Sequence, residues 1–92
     1  MSKLVAAASA LIALFLIIPA AKSEISVAEA KEKASSAYAR KDYAEAMRWF
    51  RTAADQGDAG AQYDIGVLYM NAWGAAQDYA EAMRWFRRAA DQ

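Results

Sequence analysis

Apolar residues in the second half of the chain recur at helical spacing. In the segment DYAEAMRWFRTAADQ, residues 42–56, Tyr43, Ala46, Met47, Phe50, Ala53 and Ala54 fall at i, i+3, i+4, i+7, i+10 and i+11, with Glu45, Arg48, Arg51 and Asp55 on the other side. This predicts an amphipathic helix. Asp42 and Glu45 have the spacing of a capping box, and the Asp42 carboxylate can accept from the free amides of the first turn. Gly57 follows where a left-handed C-terminal residue is wanted, a conformation that glycine adopts cheaply. A second helix is expected over about Ala59–Asn71, with Ala61, Ile65, Leu68 and Tyr69 as its core stripe. Gly66 within it weakens the helix by about 1 kcal/mol relative to Ala, so it marks a place where a neighbouring helix comes close. Upstream, Ser26-Val27-Ala28-Glu29 is another capping box, opening a helix to about Arg40 with Ala30, Ala34, Ala37 and Tyr38 facing inward.

Residues 78–92 read DYAEAMRWFRRAADQ and differ from residues 42–56 only in Arg88 for Thr52, fourteen identities in fifteen positions at a spacing of 36. A period of that size signals stacked supersecondary units. The expected fold is all-α, a short α-solenoid of two antiparallel helix hairpins in the order A1-B1-A2-B2. Tyr38 stands four residues before Asp42 and Tyr69 nine before Asp78, so the second A–B connection carries five extra residues, a loop around Ala72–Gln77.

The first segment is patterned differently. Met1-Ser2-Lys3 leads into an apolar run, Leu4–Ile18, closed by Pro19; Ala21 and Ser23 then put small side chains where a signal peptidase would release Glu24. Residues 1–23 are therefore expected to be a signal peptide and residues 24–92 the helical repeat domain, exported to the periplasm or secreted. The alternative is an uncleaved anchor over residues 4–21, about long enough for a membrane span, which needs roughly 17–25 residues; only in that case is the membrane a partner.

Composition narrows the chemistry. The 92 residues leave room for one small domain. Eleven basic residues balance eleven acidic ones; removing Lys3 and Lys22 leaves nine against eleven, without the basic face of a nucleic-acid-binding domain. With no cysteine and no histidine, the chain lacks disulfides, thiolate metal sites, and the side chain most used for acid–base catalysis near neutral pH. No cofactor and no metal site is expected.

Gly57-Asp58-Ala59, Ala61-Gln62-Tyr63, Ile65-Gly66-Val67-Leu68-Tyr69, Gly74, Asp78-Tyr79, Ala82 and Trp85-Phe86-Arg87-Arg88-Ala89-Ala90 together resemble the Sel-one-like repeat family, relatives of the tetratricopeptide repeats. The resemblance covers residues 57–92 as one full repeat and residues 26–56 as a partial repeat with a shorter, tetratricopeptide-like loop. It implies a right-handed superhelix with A helices on the concave face and an adaptor or scaffold role in protein complexes; bacterial members are often exported. The family has glycine and valine where this chain has Ala72 and Ala75, and a left-handed turn at Ala72 carries strain that glycine avoids.

Binding is the natural output of stacked repeats, which build extended surfaces rather than enclosed pockets. Beyond the core stripe of A2, Tyr63, Val67 and Met70 form a second apolar line with Gln62 and Asn71 beside it. The stripe is either a partner-binding groove or further core between B1 and B2. Trp73, in the inserted loop, joins these five as a candidate contact for a protein or peptide partner. Trp49 and Trp85 are expected to pack against the next helix of the solenoid. Arg48, Arg51, Arg84, Arg87 and Arg88 are expected to pair with acids three or four residues away on the helix surface. An enzyme is not expected: a β-lactam-type hydrolase, the activity described for cysteine-rich relatives, is disfavoured by the lack of cysteine, Ser-x-x-Lys and Gly-x-Ser-x-Gly. The remaining alternative is an assembly subunit that stacks on itself or on another helical array. Two units ending at Gln92 would leave Met83, Phe86 and Ala90 partly exposed, an invitation to homodimerise through the uncapped C-terminal helix.

Overall fold

A computed structural model describes residues 25–92, so the leader reading of residues 1–23 lies outside the described residues. The four helices are α1 (Val27–Ala39), α2 (Tyr43–Asp55), α3 (Ala59–Met70) and α4 (Tyr79–Ala90), and no strand occurs among the described residues. Each helix packs against the next in sequence, giving the expected A1-B1-A2-B2 order. None of these helices is long and apolar enough to cross a membrane.

Each helix begins on a side-chain cap. Ser26, Asp42, Asp58 and Asp78 accept from the amides of Glu29, Glu45, Ala61 and Glu81 at 3.1, 3.2, 2.8 and 2.9 Å. The boxes at Asp42 and Asp78 close only halfway, because the cap amides already donate to the carbonyls of Ala37 and Tyr69. Glu45 and Glu81 turn to Arg40 and Arg84 instead, each at 2.8 Å.

The first three helices end alike. Lys41, Gly57 and Ala72 are left-handed, at φ 63°, 94° and 58°. After each, the next amide reaches five residues back, from Asp42 to Ala37, Asp58 to Ala53 and Trp73 to Leu68, the Schellman arrangement. Glycine fills one of these three positions. At Lys41 and Ala72 a Cβ carries the left-handed penalty, about 1–2 kcal/mol per residue. The turn geometry is thus kept at Ala72 despite the missing glycine.

The core is made of small side chains on α1 (Ala30, Ala34, Ala37) and larger ones on α2 and α3, where Met47, Phe50, Ala53 and Ala54 share one cluster with Ala61, Ile65 and Leu68. Gly66 has the role its position suggests: a Cβ there would lie 2.5 Å from the Phe86 ring. Tyr38, expected to face inward, is 38% exposed, because Ala30, Ala34 and Ala37 alone turn fully to α2. It rests edge-on against Tyr43 and Trp73 at ring separations of 5.4 and 6.0 Å.

The arginines also depart from expectation. Among the described residues only Arg84 pairs with an acid of its own helix, Glu81. Arg48 lies over Trp49, and Arg51 and Arg88 lie over Trp85, the closest at 4.5 Å. An indole face competes well for a weakly hydrated guanidinium against an exposed carboxylate pair of small net value.

Across the hairpins, Lys31 Nζ meets Asp58 Oδ2 at 3.0 Å. Burial pushes the Asp58 carboxyl up, but the Ala61 amide and the Lys31 ammonium together outweigh it and hold the carboxyl below its ordinary value. At Asp64 burial dominates: it raises the carboxyl, Lys31 opposes, and Asp58 adds to the rise.

Two predictions rest on these features. Ala72→Gly should raise the melting temperature, by up to about 1 kcal/mol or some 4–8 °C for a domain of this size, once the greater freedom of glycine in the unfolded chain is deducted. Gly74→Ala should lower it, since Gly74 is left-handed at φ 82° and a Cβ would sit 2.5 Å from the Tyr43 carbonyl oxygen. For the carboxylates the signs oppose. A depressed Asp58 contributes stability above its ordinary value of 3.8 that is lost as pH falls through its lower folded value. A raised Asp64 detracts from stability at neutral pH and ceases to do so as pH falls through its higher folded value. Thermal melts across pH should therefore show Asp58→Asn destabilising and Asp64→Asn stabilising at pH 7, with both differences shrinking in acid.

Candidate functional site

Helices α2 and α4 differ in sequence only at Thr52 and Arg88 but have different surroundings. Met47 is 9% exposed and its counterpart Met83 is 52% exposed; Phe50, Ala53 and Ala54 are buried, whereas Phe86 and Ala89 are half-buried and Ala90 is exposed. The tryptophans reverse the order, Trp85 being buried and Trp49 only half-buried. The cause is position in the stack. α2 packs against both α1 and α3, whereas among the described residues α4 packs mainly against α3 alone. Trp85 accordingly faces backwards, towards Arg51 of α2, rather than towards a following helix, and its buried Nε1 finds no acceptor among the described residues.

The exposed side of α4 joins a line on α3. Tyr63, Val67 and Met70 lie beside Phe86, Ala89 and Ala90 and form an open groove of about 620 Å³. Tyr63 is 56% exposed, with its ring 5.3 Å from that of Phe86. The second apolar line of α3 is thus largely surface, and Ala61, Ile65 and Leu68 supply the core. Phe86, Ala89 and Ala90 complete the groove; the identical, buried face of α2 was the signal for them.

The other candidates lie elsewhere. Gln62 is 2% exposed, inside the fold: its Nε2 donates to the Ala54 carbonyl at 3.2 Å and its Oε1 accepts from Gln92 at 2.7 Å. Asn71 is exposed but turned onto its own helix, donating to the Val67 carbonyl at 2.9 Å. Trp73 is half-buried, stacked on Tyr43 at 4.9 Å and nearly parallel to it. The inserted loop thereby folds back over the first hairpin, held also by Gln77 donating to the Met70 carbonyl and the Tyr79 hydroxyl, both at 2.9 Å. Trp73 therefore lies apart from the groove.

A second, polar concavity lies on the opposite end of the stack, lined by Glu29, Glu32, Lys33, Ser36 and Arg40 of α1 with Glu45 and Trp49 of α2. Lys33 Nζ stands 5.4 Å above the Trp49 ring. Among the described residues no group of His, Cys, Asp or Glu could hold a metal ion.

The Sel1 repeat family matches residues 32–58 and 59–92. The chain is a Sel1 repeat protein. Comparison with curated proteins and with solved structures returns no match. Sel1 repeats are generally protein–protein interaction modules. The side chains of α3 contribute unequally to the fold. Met70→Ala and Tyr63→Ala should each lower stability by about 1 kcal/mol or less, whereas Ile65→Ala, at a fully buried position, should remove about 2–5 kcal/mol, as read from chemical denaturation.

Proposed function

We propose that this Sel1 repeat protein is an exported, non-catalytic adaptor that binds a protein or peptide partner through the groove of Tyr63, Val67, Met70, Phe86, Ala89 and Ala90. The observation that carries this reading is the pair of nearly identical helices: the face that α2 buries is the face that α4 leaves partly open. Side chains suited to a desolvated interface are thus presented on a rigid helix pair, and a concave apolar patch of this kind is where binding energy concentrates. Export rests on the sequence of residues 1–23, with release of Glu24. The absence of histidine and cysteine supports a non-catalytic role.

Symmetric pairing of two copies through the same face is the second reading, favoured by the exposure of Met83 beside the groove. Sedimentation separates it from the first: a dimer abolished by Ala90→Glu would establish pairing, and a monomer at all concentrations would remove it. For the adaptor, a tagged exported form carrying Val67→Glu or Ala90→Glu should keep its helical spectrum and lose at least tenfold in retention of the proteins the parent chain captures. Unchanged retention would defeat the groove as docking surface, and an intact Met1 on the captured chain, read by mass spectrometry, would defeat cleaved export.

A further inference from the structure

We infer that the occupant of this groove is a helix of the α3 type from another helical-repeat protein, presenting a small residue, two branched aliphatics and a tyrosine in the register of Ala61, Ile65, Leu68 and Tyr69. The inference rests on the reading of the groove as a docking surface and names what docks.

The chain contains its own template for the complex. The α2 face of Met47, Phe50, Ala53 and Ala54 recurs on α4, residue for residue, as Met83, Phe86, Ala89 and Ala90. On α2 that face shares a continuous core with Ala61, Ile65 and Leu68 of α3. Polar contacts fix the register: Arg51 donates to the Tyr69 hydroxyl at 3.1 Å, and Gln62 donates to the Ala54 carbonyl at 3.2 Å. The counterpart of Arg51 is Arg87, exposed and without an ion pair or side-chain hydrogen bond among the described residues. A helix laid on α4 as α3 lies on α2 would bring its tyrosine hydroxyl to Arg87.

The neighbouring A helix differs in one informative place. Counted from their caps, Ser26 and Asp58, Lys31 of α1 corresponds to Tyr63 of α3. Lys31 selects an acidic cap on the helix it meets, Asp58 at 3.0 Å. Tyr63 offers an aromatic ring instead, so the incoming helix needs an apolar side chain there and no acid.

The same alignment argues against head-to-tail stacking of a second copy. Where α3 carries Ala61, Ile65 and Leu68, α1 carries Glu29, Lys33 and Ser36, which line the polar concavity at the opposite end. Burying Glu29 and Lys33 against Phe86 and Ala89 would desolvate two charges with no partner across the interface. The donor is therefore a repeat protein whose first helix is apolar on that side.

The chain's own α3 segment serves as the probe. A labelled peptide of residues 57–71, titrated with the purified exported chain, should bind saturably. Ile65→Asp with Leu68→Asp in the peptide, or Ala90→Glu in the protein, should weaken binding at least tenfold. Tyr69→Phe in the peptide should weaken it a few-fold with the parent protein and not at all with Arg87→Ala. Because a free peptide of this length is poorly helical, the same residues appended after Gln92 provide a second readout. The appended segment should raise the melting temperature, and its Ile→Asp, Leu→Asp version should not. Binding indifferent to the two aspartates, or an appended segment that leaves the melting temperature unchanged, would overturn the inference. If that happens while Ala90→Glu still abolishes capture of partners, the groove stands and the α3-type occupant falls; if Ala90→Glu has no effect on capture either, both fall.

Discussion

The ring of Phe86 lies where a side chain on Gly66 would be, and the rest of the second hairpin is arranged around that contact. It brings α4 close to α3 and lays Tyr63 against the same ring. Ala89 and Ala90, one turn further on, then lie beside Val67 and Met70, and Trp85 turns back towards Arg51. The groove is thus a by-product of close helix packing. An A helix that approaches its B helix through a glycine leaves its bulkier line available for a further neighbour.

The two ends of the stack differ in kind. The end formed by α1 and Trp49 is charged, with Lys33 over the indole and Arg40 paired to Glu45. The end formed by α3 and α4 is apolar. In repeat arrays a polar outer face keeps a terminal unit soluble, and an apolar one calls for the next unit. The described repeats therefore present a polar face on one side and an apolar face on the other.

Much of this was legible in the sequence because it repeats local rules. Caps at Ser26 and Asp42, with the repeat of the latter at Asp78, the glycine at 57 and the close approach at 66 each follow from a few residues of pattern, and all are found. What escaped it depends on neighbours in space. Two helices of nearly identical sequence cannot be assigned opposite burial of Trp49 and Trp85 from that sequence alone. Gln62 looked like a surface amide beside an apolar stripe, yet its partners are the Ala54 carbonyl and Gln92, eight and thirty residues away. Trp73, in an irregular loop without periodicity to orient it, reads from sequence as a partner contact, whereas the structure stacks it on Tyr43.

The inserted loop and the groove pull on stability from opposite sides. Stacking Trp73 on Tyr43 adds an aromatic pair worth about 0.5–1.5 kcal/mol beyond its buried area and ties the second A–B connection to the first hairpin. Leaving Met83 and Phe86 uncovered withholds apolar burial that α2 enjoys, in a domain small enough that burial is scarce. A partner that covers them binds the folded state alone, and at a hundredfold excess over its dissociation constant contributes about 2.7 kcal/mol, a sizeable share of the roughly 5–15 kcal/mol that holds a typical domain together. Binding and folding would therefore be linked through one face: a partner filling the groove would also cover the apolar side chains that α4 leaves exposed.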